Sequence, residues 1–512
     1  MDNPNTSFQT LFDNLEQNLR QIKQTLGNSG DIVIRTIPLS RHGKRMITLI
    51  YIDGMADKKL VNDFIVESLM SNSNSAEDKD DLDKNGFEDD VQSLKNSVLA
   101  LGSINDLTDF EAVYNAVLSG DTVILIDGYT AGMSADTKGW KDRGVTEPAS
   151  ENVVRGPREG FSESIGINIA LIRRKIKSPD LRMDKKQIGR VTRTEIGIMY
   201  VKSIANDKIV KEVHARLDRI DIDGILESGY IEELIQDSNF TPFPTVFNTE
   251  RPDVVAAELL EGKVAILVDG TPYTLIVPAP FISFLHAAED YYQRADISSF
   301  IRILRFMGIF ISLLGPSLYI AITNFHQELL PTQLLIGLAA QREDIPFPAF
   351  IEAFIMEATF EILREAGVRM PKYIGAAVSI VGTLVIGSAA VEAGVVSAVM
   401  VIVVSLTAIS SFVIPAYNVA IAFRMLRFPM MGLAASFGLF GIMFGIILLI
   451  LHLCSLRTFG VPYMSPFAPL TPADQKDTLV RFPHWLMRTR PRLANQKNVN
   501  RLNPAPSRKS RE

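Results

Sequence analysis

The sequence predicts a soluble α/β amino-terminal half, built of two duplicated α/β subdomains, followed by an all-α polytopic membrane bundle. Three observations predict it. Residues 1 to about 300 are rich in charge, whereas about 301 to 455 hold long apolar runs with few charges. Several of those runs reach the roughly 20 apolar residues that a membrane helix needs. A strand–turn–helix pattern also occurs twice in the first half, in the same order.

Residues 1–30 form a polar segment without the basic flank and apolar core of a signal peptide. The amino-terminal half is therefore expected on the cytoplasmic side. The first subdomain is placed at 31–135, with an acidic insert at 72–90, and the second at 190–290. The repeat is visible in ITLIYIDGMADKKLVNDF (Ile47 to Phe64) and IGIMYVKSIANDKIVKEV (Ile196 to Val213). Ile47/Ile196, Tyr51/Tyr200, Ala56/Ala205, Lys59/Lys208 and Val61/Val210 coincide without a gap. Downstream, SGDTVILIDG (Ser119 to Gly128) mirrors EGKVAILVDG (Glu261 to Gly270). Helices at about 107–118, 206–220 and 228–236 are expected to cover the sheets. The two Asp-Gly pairs read as strand-ending turns, because glycine tolerates positive φ; a ligand contact by Asp127 or Asp269 is the other reading. Residues 136–189 read as a basic linker and helix. Its Arg and Lys side chains meet acidic surfaces of the same protein, anionic lipid headgroups or a partner subunit.

Four apolar stretches qualify as spans within a membrane domain at 291–456: 303–325, 373–393, 395–415 and 432–454. Segments 329–340 and 347–362 are candidate re-entrant elements. The tail, 457–512, is expected to be cytoplasmic and disordered at its end. Its last 32 residues carry nine Lys/Arg against one Glu, which favours the cytoplasmic side. An even number of crossings, four or six, satisfies that placement. Cys454 is the only cysteine, so no intrachain disulfide can form.

Chemistry is sparse. The six histidines lack metal-ligand spacing, no nucleophile signature is present, and neither an enzyme active site nor a cofactor is expected. The tail lacks the interleaved aromatics of a nucleic-acid surface. In FPAFIEAFIMEATFEILREAG, Glu357, Glu361 and Glu365 fall at i, i+4 and i+8, one stripe on a helix. Carboxylates inside a bilayer usually face a bundle interior or a water path, and rings of Glu select cations. The plainer reading is an interfacial helix with its carboxylates in water or paired to Arg364 and Arg369. Glu392, alone between two apolar runs, marks either a surface turn or a buried ion-path site. In DLDKNGFEDDVQ, Asp81, Asp83, Asn85 and Asp89 occupy ligand positions of a calcium loop, with Gly86 at the turn. Gln92 stands where a bidentate carboxylate belongs, so a solvated acidic linker is the alternative.

Taken in order, TEPASENVVRGPREGF, TPFPTVFNTERPD, VAILVDGTPYTLIVP, EDYYQR, FHQELLP, REDIPFP, EILREAGVRMP, AAVEAG and FGVPYMSPFAP resemble the A subunit of the GerA-type spore germination receptors of endospore-forming bacteria. The resemblance covers about 30 to 470. It implies a receptor in the spore inner membrane, assembled with B and C subunits. It also implies a homo-oligomer of A subunits that forms a cation-conducting path on germination. The basic segments themselves point to contact with membrane lipids and not with nucleic acid. Arg155, Arg158, Arg251 and Asp253, within the matching stretches, are candidate contacts to a subunit or to lipid. Two further functions stay open: a transporter-type subunit that binds a small germinant itself, and a scaffold that does not conduct.

Overall fold

The computed structural model describes residues 9–38, 46–62, 104–139, 147–148, 151–369, 387–491 and 497–502. The chain divides into two compact units. The first comprises Met1–Gln236, Asn248–Pro278 and Arg490–Asn500; the second comprises Asp237–Phe247, Ala279–Thr489 and Arg501–Glu512.

The first unit is an α/β pair. Its first half contains α1 (Leu15–Leu26), β1 (Ile32–Pro38), β2 (Met46–Ile52), β3 (Ile104–Leu107), α2 (Phe110–Leu118), β4 (Thr122–Ile126) and β5 (Gly132–Ala135). Its second half contains α3 (Ile165–Lys175), β6 (Leu181–Ile188), β7 (Thr194–Val201), α4 (Asp207–Asp218), α5 (Ser228–Ile235), β8 (Phe247–Thr249), α6 (Pro252–Leu260), β9 (Val264–Val268) and β10 (Thr274–Val277). The sheets have the same strand order, β1-β2-β4-β5-β3 and β6-β7-β9-β10-β8. Register agrees too: Ile47 pairs with Ile126, and Ile196 with Val268. Strand β2 is buried from Ile47 to Ile52, as expected of a central strand covered on both faces. One face packs Ile50, Ile52, Val123 and Leu125 beneath α1 and α2.

The Asp-Gly turns explain why each half closes. Asp127 Oδ1 accepts from the Leu15 amide at the start of α1, and Asp269 Oδ1 from the Ile165 amide at the start of α3, both at 3.1 Å. Each carboxylate satisfies a backbone donor that has no intrahelical partner. Gly128 and Gly270 follow at φ +84° and +90°, where a side chain would be strained. Asn18 and Asn168 repeat a further feature, each bridging back to the backbone of the residue six positions earlier, Phe12 and Ser162. Helix 165–175 is thus the counterpart of α1. The linker expected at 136–189 is corrected: the second repeat begins near Phe161, and the first begins before residue 31.

The second unit is helical: α7 (Ala295–Phe325), α8 (Thr332–Arg342), α9 (Ala349–Arg369), α10 (Gly387–Glu392), α11 (Ala398–Ser411) and α12 (Tyr417–Ser455). Two described helices, α7 and α12, are long and apolar enough to cross a membrane; α11 is shorter. The expected spans 303–325 and 432–454 fall inside α7 and α12, and 395–415 covers α11. Most of 373–393 lies outside the described residues.

The span expected at 432–454 is not one continuous helix. Gly438 has φ +61° and ψ −140°, and the chain reverses there. The Phe243 ring lies 5.6 Å from that of Phe423 and 6.3 Å from that of His452. A continuous helix would hold Phe423 and His452 about 43 Å apart. Helix α12 is therefore a hairpin with arms 417–437 and 439–455. Its arms meet at glycines: a Cβ on Gly441 would strike the Leu433 carbonyl, and one on Gly445 the Met430 sulfur. Small residues allow such close approach between membrane-type helices. Gly441→Ala should destabilise the solubilised protein by about 1–3 kcal/mol. Gly432→Ala, which meets nothing within 4 Å, should be neutral. Equal thermal melting of the two variants would contradict the hairpin contact.

Part of the tail is folded. Asp477 and Arg481 are bound at the start of α7 (below). The Arg490 Nε donates to the Leu260 carbonyl at 2.8 Å, and Lys497 pairs with Asp207 at 2.6 Å. Residues 503–512 lie outside the described residues.

Candidate functional site

The helical unit has buried charges set into an apolar interior, and large apolar side chains on its outside. Phe310, Ile402, Ile409, Phe440 and Leu451 are all more than 60% exposed. Helix α9 reverses the usual rule most clearly: its buried residues are Ala349, Glu352, Ala353 and Glu357. Its fully buried contacts are polar or made by two alanines, while Phe350 and Met356 pack partly buried against the core and the Phe354 ring lies 5.6 Å from that of Phe428.

Those contacts form a ladder along α9. Glu352 accepts from the backbone amide and hydroxyl of Ser397, the N-cap of α11. Glu357 pairs with Arg427, whose guanidinium also donates to the Ser312 carbonyl at 2.7 Å and hydroxyl at 3.0 Å. Glu361 pairs with Arg424 at 3.0 Å. Arg364 stacks 4.7 Å over Phe412 and 5.8 Å over Tyr417. Glu365 pairs with Arg369 at 2.6 Å on an exposed surface. From Glu352 to Glu365 the ladder runs about 20 Å, joining α9 to α7, α11 and the first arm of α12. Glu352 Oε2, Glu357 Oε1 and Glu361 Oε1 are buried without a hydrogen-bond partner.

The predicted stripe is thus one helix face, but each carboxylate meets an arginine of the same chain. Glu392 is exposed at the end of α10, before Gly394 at φ +65°; it occupies a surface turn. Glu352, which helical spacing sets outside the stripe, and Arg424 and Arg427, which the sequence does not mark as site residues, join the ladder in the structure. The signal for the arginines was their spacing of three within an apolar run, which puts both on one helix face.

A second charged cluster fixes the base of α7. Asp290 accepts from Arg302 at 3.1 Å and from Arg305 at 2.8 Å and 3.2 Å. Arg302 also holds Asp477 at 2.7 Å, and Tyr291 donates to the same carboxylate at 2.8 Å. Burial pushes Asp290 up, but Arg305 and Arg302 bring it net below the usual carboxylate range. His286 is pushed down to about 3 by burial and by Arg302. The start of α7 and residues 477–481 therefore lie at one end of the unit.

In the first unit the four candidate contact residues separate into two kinds. Arg251 and Asp253 are buried and paired at 2.8 Å, so the expectation that they touch lipid or a subunit is corrected. Arg251 instead donates to the Glu151 carbonyl at 3.0 Å and the Pro157 carbonyl at 2.9 Å. Arg155 and Arg158 are exposed, Arg158 facing Glu147 at 3.3 Å. The basic helix meets acidic groups of its own chain: Arg173 binds Asp31, and Lys175 binds Glu159. Among the described residues no group of three His, Cys, Asp or Glu is placed to hold a metal; Asp81, Asp83, Asn85 and Asp89 lie outside them.

Burial lifts Glu232 to about 7 despite a hydrogen bond from Asn248. A carboxyl raised on folding favours the folded state at low pH, and stability falls as pH rises from about 4.5 to 7. Glu232→Gln should thus protect α5 against hydrogen exchange above pH 7, by on the order of 1–2 kcal/mol after screening. The gain should vanish at pH 4. A gain independent of pH would refute the titration.

Duplicated α/β subdomains joined to a helical unit, two of whose described helices are long and apolar enough to cross a membrane, define a two-part protein. The family model described as Bacillus/Clostridium GerA spore germination protein matches residues 20–493. The chain belongs to this GerA spore germination family. It is 46% identical to spore germination protein KA of Bacillus subtilis, over 94% of this chain and 87% of that protein. It is 43% identical to the uncharacterized membrane protein YfkQ of Bacillus subtilis, over 96% of this chain and 94% of that protein. Spore germination protein GerLA of Bacillus cereus is 38% identical over 95% and 97%. The crystal structure of the N-terminal domain of the A subunit of the Bacillus megaterium germinant receptor GerK3 is 39% identical. It covers 54% of this chain and all of that one, with a TM-score of 0.42.

Proposed function

We infer that this chain is the A subunit of a spore germinant receptor, embedded in the spore inner membrane by its helical unit. It assembles with B and C subunits and with further copies of itself, and contributes to a cation path that opens during germination. The observation that carries the reading is the combination of exposed apolar faces with buried carboxylates in the helical unit: the faces suit lipid, and the carboxylates suit a bundle interior or ion route. The shared end of the α7 start and residues 477–481 supports an even number of crossings, with both on the cytoplasmic side.

A second reading, a scaffold that does not conduct, is favoured by the arginine partner beside each carboxylate of the stripe. Monovalent cation flux into liposomes carrying the purified protein separates the two. If the stripe lines the path, Glu361→Gln/Glu365→Gln should lower flux about tenfold, because amides keep the volume and remove the charge that concentrates cations. Flux in the parent protein that the double variant leaves unchanged removes the stripe from the path. No flux in the parent favours the scaffold.

A further inference from the structure

The loop after Glu151 is anchored at both ends by residues 249–251. One guanidinium, that of buried Arg251, binds the carbonyls of both Glu151 and Pro157 and is itself fixed by Asp253. Thr249 Oγ1 donates to the Glu151 carboxylate at 2.6 Å, and the Phe161 amide to the Glu250 carbonyl at 2.8 Å. Between these anchors the chain presents Val154, 87% exposed, with Arg155 and Arg158 exposed beside it. A buried arginine thus orders a loop whose tip is apolar and basic. Ordering a tip in advance lowers the entropic cost of docking it.

The same sheet edge carries a surface of complementary character. Strand β8 is one edge strand of the second sheet. Its Thr249 holds the root of the loop, while the adjacent Asn248 donates to Glu232 of α5 at 3.3 Å. Tyr230 and Leu234, one turn apart on α5, are 42% and 49% exposed, and Leu226, just before the helix, is 69% exposed. Glu233 is exposed among them. This face is apolar and acidic, and the loop is apolar and basic. A protein whose surface holds both halves of a complementary pair can bind another copy of itself.

We propose that the Val154–Arg158 loop of one copy docks on the Tyr230–Leu234 face of α5, and on Leu226 just before that helix, in a second copy. The proposal rests on the homo-oligomer reading above and supplies one of its contact surfaces. Arg155 and Arg158 steer the loop toward Glu233, and Val154 enters between Tyr230 and Leu234.

The test uses the full-length chain with Cys454→Ser, in two differently tagged forms expressed together in one membrane. One carries Val154→Cys, the other Tyr230→Cys. Mild oxidation should yield a heterotypic disulfide dimer, absent when either cysteine is omitted. Adding Arg155→Glu and Arg158→Glu to the first form should cut its yield about tenfold, and Glu233→Lys in the second should restore it. All these positions are exposed, so folding is not at stake. If the two forms co-purify without the disulfide forming, the surface is wrong while the homo-oligomer reading stands. If they do not co-purify, the homo-oligomer reading fails and the docking with it. If charge reversal leaves the disulfide unchanged but abolishes binding to anionic vesicles, the loop meets lipid and the proposal is overturned.

Discussion

Arg427→Met should strip the protein of a large part of its stability, and Glu357→Gln should do nearly as much. Arg427 and Glu357 are 1% and 0% exposed, and each is the other's ionic partner. Removing one leaves the other buried and uncompensated, which costs about 3–5 kcal/mol. Arg427 would retain the Ser312 carbonyl and hydroxyl, so Glu357→Gln should be the milder of the two. The double variant Glu357→Gln/Arg427→Met removes both charges together and should recover at least half of the loss. Thermal melting of the detergent-solubilised protein measures this cycle. Additive single effects would show that the two charges do not depend on each other. The result bears on conduction as well. Glu357 is 0% exposed, against 29% for Glu361 and 64% for Glu365, so lost flux in Glu357→Gln alone would report lost structure. The flux test therefore uses the two more exposed carboxylates, whose charge is less tied to a buried pair.

Local signals made the α/β half legible. The central strands are continuous apolar runs, and the Asp-Gly turns recur in both repeats, so sheet, turn and covering helices follow from nearby residues. The expected helix at 206–220 is found at 207–218, and that at 228–236 at 228–235. The start of each repeat was not legible, because α1 and α3 share little sequence. What they share is a hydrogen bond to an aspartate more than 100 residues downstream. In the helical half, hydropathy located apolar segments but could not reveal that the one ending at Ser455 folds back on itself. Gly438 stands among many glycines there, and only contacts distant in sequence, such as those of Phe243, show the reversal. The stripe of Glu357, Glu361 and Glu365 followed from helical spacing alone. Glu365 pairs with Arg369 four residues on, as local spacing allows, but the arginine partners of Glu357 and Glu361 lie 70 and 63 residues away on another helix, beyond any local pattern. Arg251 shows the same limit: as sequence it is one more basic residue in a motif, and only burial shows it to be an anchor.

Asp31→Ala should separate the two α/β repeats from one another before either loses its own sheet. Asp31 opens β1 of the first repeat, and Arg173 lies in α3 of the second. The guanidinium binds the carboxylate through Nε at 2.6 Å and Nη2 at 3.0 Å, and also the Ser29 hydroxyl at 3.0 Å. Both charged side chains are at most 2% exposed. Ser29 accepts from the Met183 amide at 3.0 Å, and the Gly30 amide donates to the Met183 carbonyl at 2.8 Å. The pair thus lies at the seam between the repeats. Losing the carboxylate strands a buried cation there, at a cost of about 3–5 kcal/mol. Hydrogen exchange of the full-length chain should then show deprotection first at residues 29–32 and 181–183. Amides of the central strands β2 and β7 should keep most of their protection, because their own apolar cores are intact. Asp31→Ala/Arg173→Met should restore the seam, since an apolar side chain of similar length fills the site without a charge. Deprotection spread evenly over both sheets would show instead that the repeats fold as one cooperative body. A loss under about 1 kcal/mol would show that water reaches the pair despite its burial.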